Sequence, residues 1–425
     1  MLTDPFGTAA VDLDLEPGER VSARIGSVSS TTRAVAVVRE CPVVVHVAAE
    51  DSGVALPPGP TMYGAERYLP RLLRESPCAV ADPWKADFVV VPCSSFSSDI
   101  RVAAAAVERC LLRAMTNEPL WAARAERHIF AISHDLGACL APPAMDNVTF
   151  LQHYSDVAFD DRKLEALRTY ASTSRGSLGA VPALLDARLR TGQQSCYRPE
   201  TTIVVPPFFG DRVSIAQWWY GRPPFPRTNL AYFRGTVEPA SATAAQRESY
   251  SGGVRQALKR LTADAPGFFV NETFLTDHAE FFIEQASSVF CLAPPGWVGW
   301  SPRLYQAMAA GCIPVFFSPT DGSDATVLPF RSRIPWDAMS VRCGVTDAEI
   351  AGLPSRLQEV AADVHWMASA RALLSRHWPS LATPATAQGA AGFRRTGGLV
   401  GIESGRDSVT SLVLEELGER LPGTL

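Results

Sequence analysis

The stretch Ser288–Ser318, SVFCLAPPGWVGWSPRLYQAMAAGCIPVFFS, leaves a chain like this few ways to fold. It reads as strand, loop, helix, strand. The first strand, Ser288–Leu292, ends at Pro294-Pro295-Gly296, because proline cannot donate to a ladder and glycine permits the turn. Ser301 suits an N-cap, and Pro302 suits the first helical position, where its missing N–H costs nothing. The helix Arg303–Ala310 stops at Gly311, in the left-handed position that glycine favours. Cys312–Phe317 is then an unbroken apolar run, the pattern of a parallel strand buried on both faces. A parallel pair joined by a helix needs cover on both faces, so the fold class is α/β.

Such a unit has a preferred place for chemistry. In an open α/β sheet, ligands bind beyond the carboxyl ends of the strands, where the loop Pro294–Trp300 and the helix start at Ser301 lie. Free N–H groups and partial positive charge at a helix N-terminus suit a phosphate. Arg303 adds a forked, permanently charged donor just inside that helix, and Gln306 shares its face three residues on. An ordinary crossover with a surface arginine fits the same spacing.

The same grammar runs through the rest of the chain. Residues 1–30 are polar and irregular, an expected lead-in, and Ala34–Val38 is β-rich. Val43–Ala48 reads as a first core strand with His46 as a satisfied core residue. Tyr63–Glu75 has helical spacing, with a kink or break expected at Pro70. Ala86–Pro92 is a buried strand, Arg101–Met115 an amphipathic helix, and Arg127–Ser133 another strand. That strand runs directly into His134-Asp135-Leu136-Gly137, well placed for function, although a turn in which Asp135 bonds local backbone fits equally. Ala158–Gly192 is helical and polar, and Thr201–Val205 is a strand closed by Pro206-Pro207. Four prolines and a glycine in Trp218–Arg227 suit a linker between two domains. Past it the pattern restarts with the strand Asn229–Phe233. Ser251-Gly252-Gly253 then opens a helix carrying Arg255 in its first turn, a second anion-site arrangement. Thr346 and Glu349 form a capping box for a helix expected to reach about His377. Ala382–Gly405 reads as a mobile segment, followed by an amphipathic helix, Ser408–Glu419, able to pack back on the first half. The expected domains are thus a lead-in over 1–30, an N-terminal domain over 31–217, a linker over 218–228, a C-terminal domain over 229–380 and a tail over 381–425.

Composition excludes several classes. The chain has 425 residues, a net charge of −5 and no long basic run, which argues against a nucleic-acid partner. No window reaches eighteen uncharged apolar residues, and the N-terminus shows neither a basic n-region nor an apolar h-region. The nine cysteines are scattered without CxxC spacing. Zinc and redox motifs are therefore disfavoured, and buried free thiols are expected at Cys291 and Cys312. Asp321 and Asp324 fit no standard cation loop. Two sequons, at Asn147 and Asn271, matter only in a secretory compartment. P-loop, GxGxxG, HExxH and GxSxG motifs are absent.

Taken together, FCLAPPGWVGWSPRLYQAMAAGCIPVFFS, LPF, IPWDAMSV, MYGAERYLPRLLRESPCAVADPWKADFVVVP, HIFAISHDLGACLAP, VVPP, NLAYFRG and YSGGVRQAL resemble exostosin-like glycosyltransferases, glycosyltransferase family 47, in family order from about residue 43 to 375. The resemblance implies a GT-B fold, two Rossmann-like domains across a cleft. It implies transfer of a sugar from a nucleotide sugar, with UDP expected, to a glycan or glycoprotein acceptor, with inversion. Arg234, Arg255, Ser301, Arg303 and Gln306 fall on the donor side. Members usually carry glutamate where Gln306 stands, thought to hold the donor ribose, and an amide can still bond a hydroxyl. His134 or Asp135 is the expected general base. The resemblance implies no metal and no cofactor beyond the donor, a place in the Golgi lumen, and association with a like or different transferase chain. A catalytically silent exostosin-like protein that binds glycan or partners a transferase is the alternative, as is another two-domain sugar-nucleotide binder.

Overall fold

The computed structural model describes residues 8–9, 33–34, 41–49, 62–97, 100–153, 155–156, 196–208, 226–239, 244, 247, 250–273, 275, 278–319, 326–381 and 408–421. Most of the expected lead-in, the helix over 158–192, most of the linker over 218–228, Asp321, Asp324 and the segment 382–405 lie outside these residues.

Two five-stranded parallel sheets organise the molecule. In the first, β1 (Val45–Val47), β2 (Phe88–Val91), β3 (His128–Ile132), β4 (Thr149–Gln152) and β5 (Thr202–Val204) lie side by side in chain order. Every residue of β2, β3 and β4 is buried, as continuous apolar runs require of strands covered on both faces. The period of two divides them. Phe88, Val90, Ile129 and Ala131 join the core of α1 (Ala65–Arg74), while Val89, Val91, Phe130 and Ile132 join that of α2 (Ile100–Asn117). Pro70 sits inside α1 without ending it. His46 is held through Nδ1 at 3.1 Å from the Val80 carbonyl.

The second sheet contains β6 (Asn229–Arg234), β7 (Phe268–Asn271), β8 (Ser288–Ala293), β9 (Ile313–Phe317) and β10 (Val341–Cys343), in the spatial order β10-β9-β8-β6-β7. The chain leaves β6 through α3 (Val254–Thr262) to reach β7, then returns through α4 (His278–Ala286) to β8 on the other side of β6. It continues outward through α5 (Pro302–Ala309) to β9. The direction of winding therefore reverses between β6 and β8, and a crevice opens beyond their carboxyl ends.

Two expectations need correction. The single helix from Thr346 is three, α6 (Asp347–Ala351), α7 (Leu353–Ala362) and α8 (Val364–Leu381). The capping box at Thr346 and Glu349 forms, but Gly352 and Pro354 interrupt the first junction and non-helical Asp363 the second. The cysteines are not free. Cys41–Cys78, Cys93–Cys110, Cys139–Cys196 and Cys291–Cys312 are disulfides, and only Cys343 is a thiol, buried at the end of β10. Separations of 17 to 57 residues carry no local signature, so only the juxtaposition of strands and loops reveals the pairs. A final helix, α9 (Val409–Gly418), buries Val409, Leu412, Val413 and Leu417 in the core shared with α1.

Candidate functional site

Three arginines meet at the switch point, with three different fates. Arg234 ends β6 and forms a bidentate ion pair with Glu284. Its Nε donates to Oε2 at 2.7 Å, and its Nη1 donates to the Thr273 carbonyl at 3.0 Å. Tyr232 donates to the same carboxylate at 2.7 Å. Glu284 thus neutralises Arg234, one of the residues expected on the donor side. Arg255, 3% exposed in the first turn of α3, has no carboxylate partner among the described residues. It donates to the carbonyls of Pro295 at 2.9 Å and Thr236 at 2.8 Å and to the Tyr250 hydroxyl at 2.7 Å. Its charge remains uncompensated while its donors brace the loops around it. Arg303, in the first turn of α5, donates through Nε to the Arg234 carbonyl at 3.0 Å. Its Nη1 and Nη2 have no hydrogen-bond partner among the described residues.

Both uncompensated guanidiniums lie over the ring of Phe233, at 5.7 Å for Arg255 and 5.3 Å for Arg303. Burial and the neighbouring Arg303 charge push the Arg255 pKa down to about 9, and burial also lowers that of Arg303; a guanidinium keeps its proton in proteins. Two like charges buried side by side are costly without an anion between or before them. Close approach is built in. Gly235, at φ +155°, has the Arg303 Nη2 only 1.8 Å from where a Cβ would stand, so only glycine fits beneath that guanidinium. Ser251, Gly252 and Gly253 all take left-handed φ values leading into α3, and a Cβ on either glycine would meet open space. Ser301 precedes α5 but makes no side-chain cap; its hydroxyl is buried without a partner. Gln306, 8% exposed, stands one turn beyond Arg303 with its amide unpaired among the described residues. The crevice therefore offers two helix N-termini, two positive charges and the free end of one guanidinium.

The strand ends of the first sheet supply the opposite wall. His134 is 2% exposed, and its Nδ1 accepts the Leu136 N–H at 3.1 Å. That bond places the neutral ring's proton on Nε2 and occupies its basic lone pair; burial lowers the pKa to about 4. The local backbone bond expected of Asp135 is made by His134 instead. Asp135 differs. It is partly open, accepts the Tyr63 hydroxyl at 3.1 Å on Oδ1, and has its pKa raised to about 6 by burial. The indole N–H of Trp300 faces this carboxylate without closing a hydrogen bond of ordinary geometry.

Trp300 comes from the loop after β8 and joins the two walls. Its ring packs edge-on to Tyr63 at 6.0 Å and lies 5.0 Å from His153 at the end of β4. His153 is held through Nδ1 at 2.9 Å from the Val205 carbonyl, leaving Nε2 buried and unpartnered. Asp156 clasps the same loop, accepting the Gly299 N–H at 3.0 Å and the Thr326 hydroxyl at 3.2 Å. No sequence signal gives Tyr63, Glu66, His153, Asp156 or Trp300 a role, although Tyr63, Glu66 and Trp300 fall within stretches that resemble the family. Among the described residues no group of three or more His, Cys, Asp or Glu side chains is placed to hold a metal ion, and no helix is long and apolar enough to cross a membrane.

Two parallel α/β sheets meeting at their strand ends, with two buried arginines at the switch point of one, define a GT-B type protein. The model of the Exostosin GT47 domain matches residues 32–360, and the chain belongs to this family. A probable β-1,4-xylosyltransferase of Arabidopsis thaliana is 27% identical over 316 residues, covering 71% of this chain and 66% of that protein. A probable glucuronosyltransferase of Oryza sativa subsp. japonica is 29% identical over 320 residues, with the same coverage of each. The match thus spans just under two thirds of the length of these relatives. Among solved structures, a sucrose-phosphate synthase from Thermosynechococcus elongatus aligns over 69% of this chain and 76% of its own, with a TM-score of 0.33 and 12% identity.

Proposed function

We propose that this chain is an inverting glycosyltransferase that moves a sugar from a UDP-sugar to a polysaccharide or glycoprotein glycan. The observation that carries the reading is the pair Arg255 and Arg303, two buried cations over one phenylalanine ring at the switch point, with no counter-ion among the described residues. A nucleoside diphosphate supplies the missing charge. In the reaction, an acceptor hydroxyl oxygen bonds to the anomeric carbon while the bond from that carbon to the diphosphate oxygen breaks. Asp135 takes the hydroxyl proton, and the diphosphate leaves with the electron pair toward Arg255, Arg303 and the start of α5. General-base help of this kind contributes about 10²–10⁴-fold, and fixed charges aimed at the leaving group add to it. The reaction needs no metal, because the fixed guanidiniums meet the diphosphate; transfer unchanged by EDTA is the expected check. Gln306 is positioned to bond a donor hydroxyl. The names of the relatives make UDP-xylose and UDP-glucuronate the first donors to try, with β-1,4-xylo-oligosaccharides as acceptors. Four disulfides fit an oxidising compartment, and we assign the chain to the Golgi lumen.

The test is calorimetric titration of the purified chain with UDP, GDP, ADP and CDP, beside Arg303→Ala. Micromolar binding of one nucleotide, weakened by roughly 10- to 100-fold in the variant, supports the donor site; that factor is the loss of a charged hydrogen bond. A folded chain that binds no nucleotide overturns the reading in favour of a silent glycan-binding protein.

A further inference from the structure

Glu66 lies in the first turn of α1, 5% exposed, and no lysine or arginine pairs with it among the described residues. Its carboxylate instead collects four donors. Oε1 accepts the Ser95 hydroxyl at 2.6 Å and the Ser133 N–H at 2.8 Å. Oε2 accepts the N–H groups of Ser95 at 2.6 Å and Phe96 at 3.1 Å. These donors come from the loop after β2 and from the end of β3, on the side of the sheet where Asp135 stands. Burial alone raises the Glu66 pKa, and the four hydrogen bonds oppose it by favouring the ionised form. Apolar side chains would fill this space at lower cost, since a buried ion without a counter-charge is expensive.

What the carboxylate secures leads to the proposed base. Ser133, held through its N–H, donates its hydroxyl to the Tyr63 carbonyl at 2.5 Å. The Tyr63 ring stacks on Phe96, whose N–H is also on Glu66, with centroids 4.1 Å apart and planes at 14°. The Tyr63 hydroxyl then donates to Asp135 at 3.1 Å. Asp135 itself is only two residues beyond Ser133. One carboxylate thus fixes both the strand end that carries Asp135 and the ring that hydrogen-bonds it.

We propose that Glu66 is the positioning residue of the acceptor half, holding Tyr63 against Asp135 so that the Asp135 carboxylate stands ionised and aimed. The proposal rests on the reading of Asp135 as the base. The ionisable groups around Asp135 are Tyr63, His134 and, behind Trp300, His153; burial keeps both imidazoles neutral, each with a pKa lowered to about 4. The hydrogen bond from Tyr63, together with the Trp300 indole that faces the same carboxylate, therefore opposes burial in setting the Asp135 titration.

The test labels aspartate at the carboxyl carbon and follows Asp135, assigned with Asp135→Asn, by NMR as pH is raised. UDP is titrated into every variant in parallel. Glu66→Gln puts an amide where two donors point, so the expected result is an Asp135 pKa above that measured for the wild-type chain in the same experiment, with UDP affinity unchanged. Ser133→Ala and Tyr63→Phe shift Asp135 the same way and carry the test if Glu66→Gln does not fold. An Asp135 titration unmoved in folded variants overturns the inference. Loss of UDP binding in Glu66→Gln overturns it too, because the residue then supports the whole fold. Failure of the wild-type chain to bind UDP strikes the donor-site reading instead and leaves the titration to decide this one. Retained transfer in Asp135→Asn removes the base, and the inference with it.

Discussion

At the scale of single residues, what a charged side chain does depends on which of its atoms are already bonded. Arg234, Arg255 and Arg303 look alike in sequence, each near a strand end or a helix start. Of the three, only Arg303 keeps its two terminal nitrogens without a partner among the described residues, because Glu284 takes Arg234 and backbone carbonyls take Arg255. Gly235→Ala should therefore weaken nucleotide binding without touching a ligand, since its Cβ would stand 1.8 Å from the Arg303 Nη2; calorimetry beside circular dichroism checks it. Asp135 separates from His134 by the same logic. Its raised pKa means that the base form fills only as pH passes about 6, so kcat/KM for transfer should fall as pH drops below that value. Asp135→Asn should lower transfer by about 10²–10⁴-fold while UDP affinity holds. A pH profile that stays flat down to pH 5 would argue against Asp135.

At the scale of elements, the strands and helices follow from periodicity and caps. Strand β3 is apolar throughout and buried throughout, and the capping box at Thr346 forms as its sequence requires. Pairing of cysteines is different in kind. Cys139 lies just beyond Asp135 and Cys196 just before β5, joined across 57 residues. Cutting that bridge with Cys139→Ser and Cys196→Ser should destabilise the chain by about 2–4 kcal/mol, the usual worth of a long loop closure. Denaturant unfolding of the double variant measures it. An unchanged midpoint would show that the fold around β4 and β5 holds this region without the cross-link.

At the scale of the whole molecule, the described residues bring the two halves together through the loop after β8, the segment at Thr326 and the last helix. The loop after β8 inserts Trp300 between Tyr63 and His153, and Gly299 approaches Asp156 too closely for any side chain, with a Cβ site 1.8 Å from Oδ1. Gly299→Ala should part the seam and lower transfer more than nucleotide binding, with a larger radius of gyration by small-angle scattering. The last helix closes the other side. Beyond it Arg420 donates to the carbonyls of Pro199 and Thr202 in the first half, and Arg333 of the second half pairs with Glu415 and Glu419. Asn147 is exposed at the amino end of β4, away from the strand ends that form the site, whereas Asn271 is half-buried and binds the Thr273 N–H. Expression through a secretory pathway should accordingly give one endoglycosidase-sensitive mass step that Asn147→Gln removes.

The sequence by itself determined the α/β class, the strand-loop-helix-strand unit at its centre and the two helix starts that carry Arg255 and Arg303. Those features are local. Proline, glycine and apolar period act over a few residues, and a helix N-terminus is positive wherever it stands. Tertiary structure alone decided which arginine keeps free donors among the described residues, which of His134 and Asp135 keeps a usable lone pair, which cysteines meet, and that Glu66 ties the loop after β2 to the end of β3 behind Asp135. Each of these depends on partners tens of residues away, brought together by sheet order, and burial sets their charge only once the chain has closed around them.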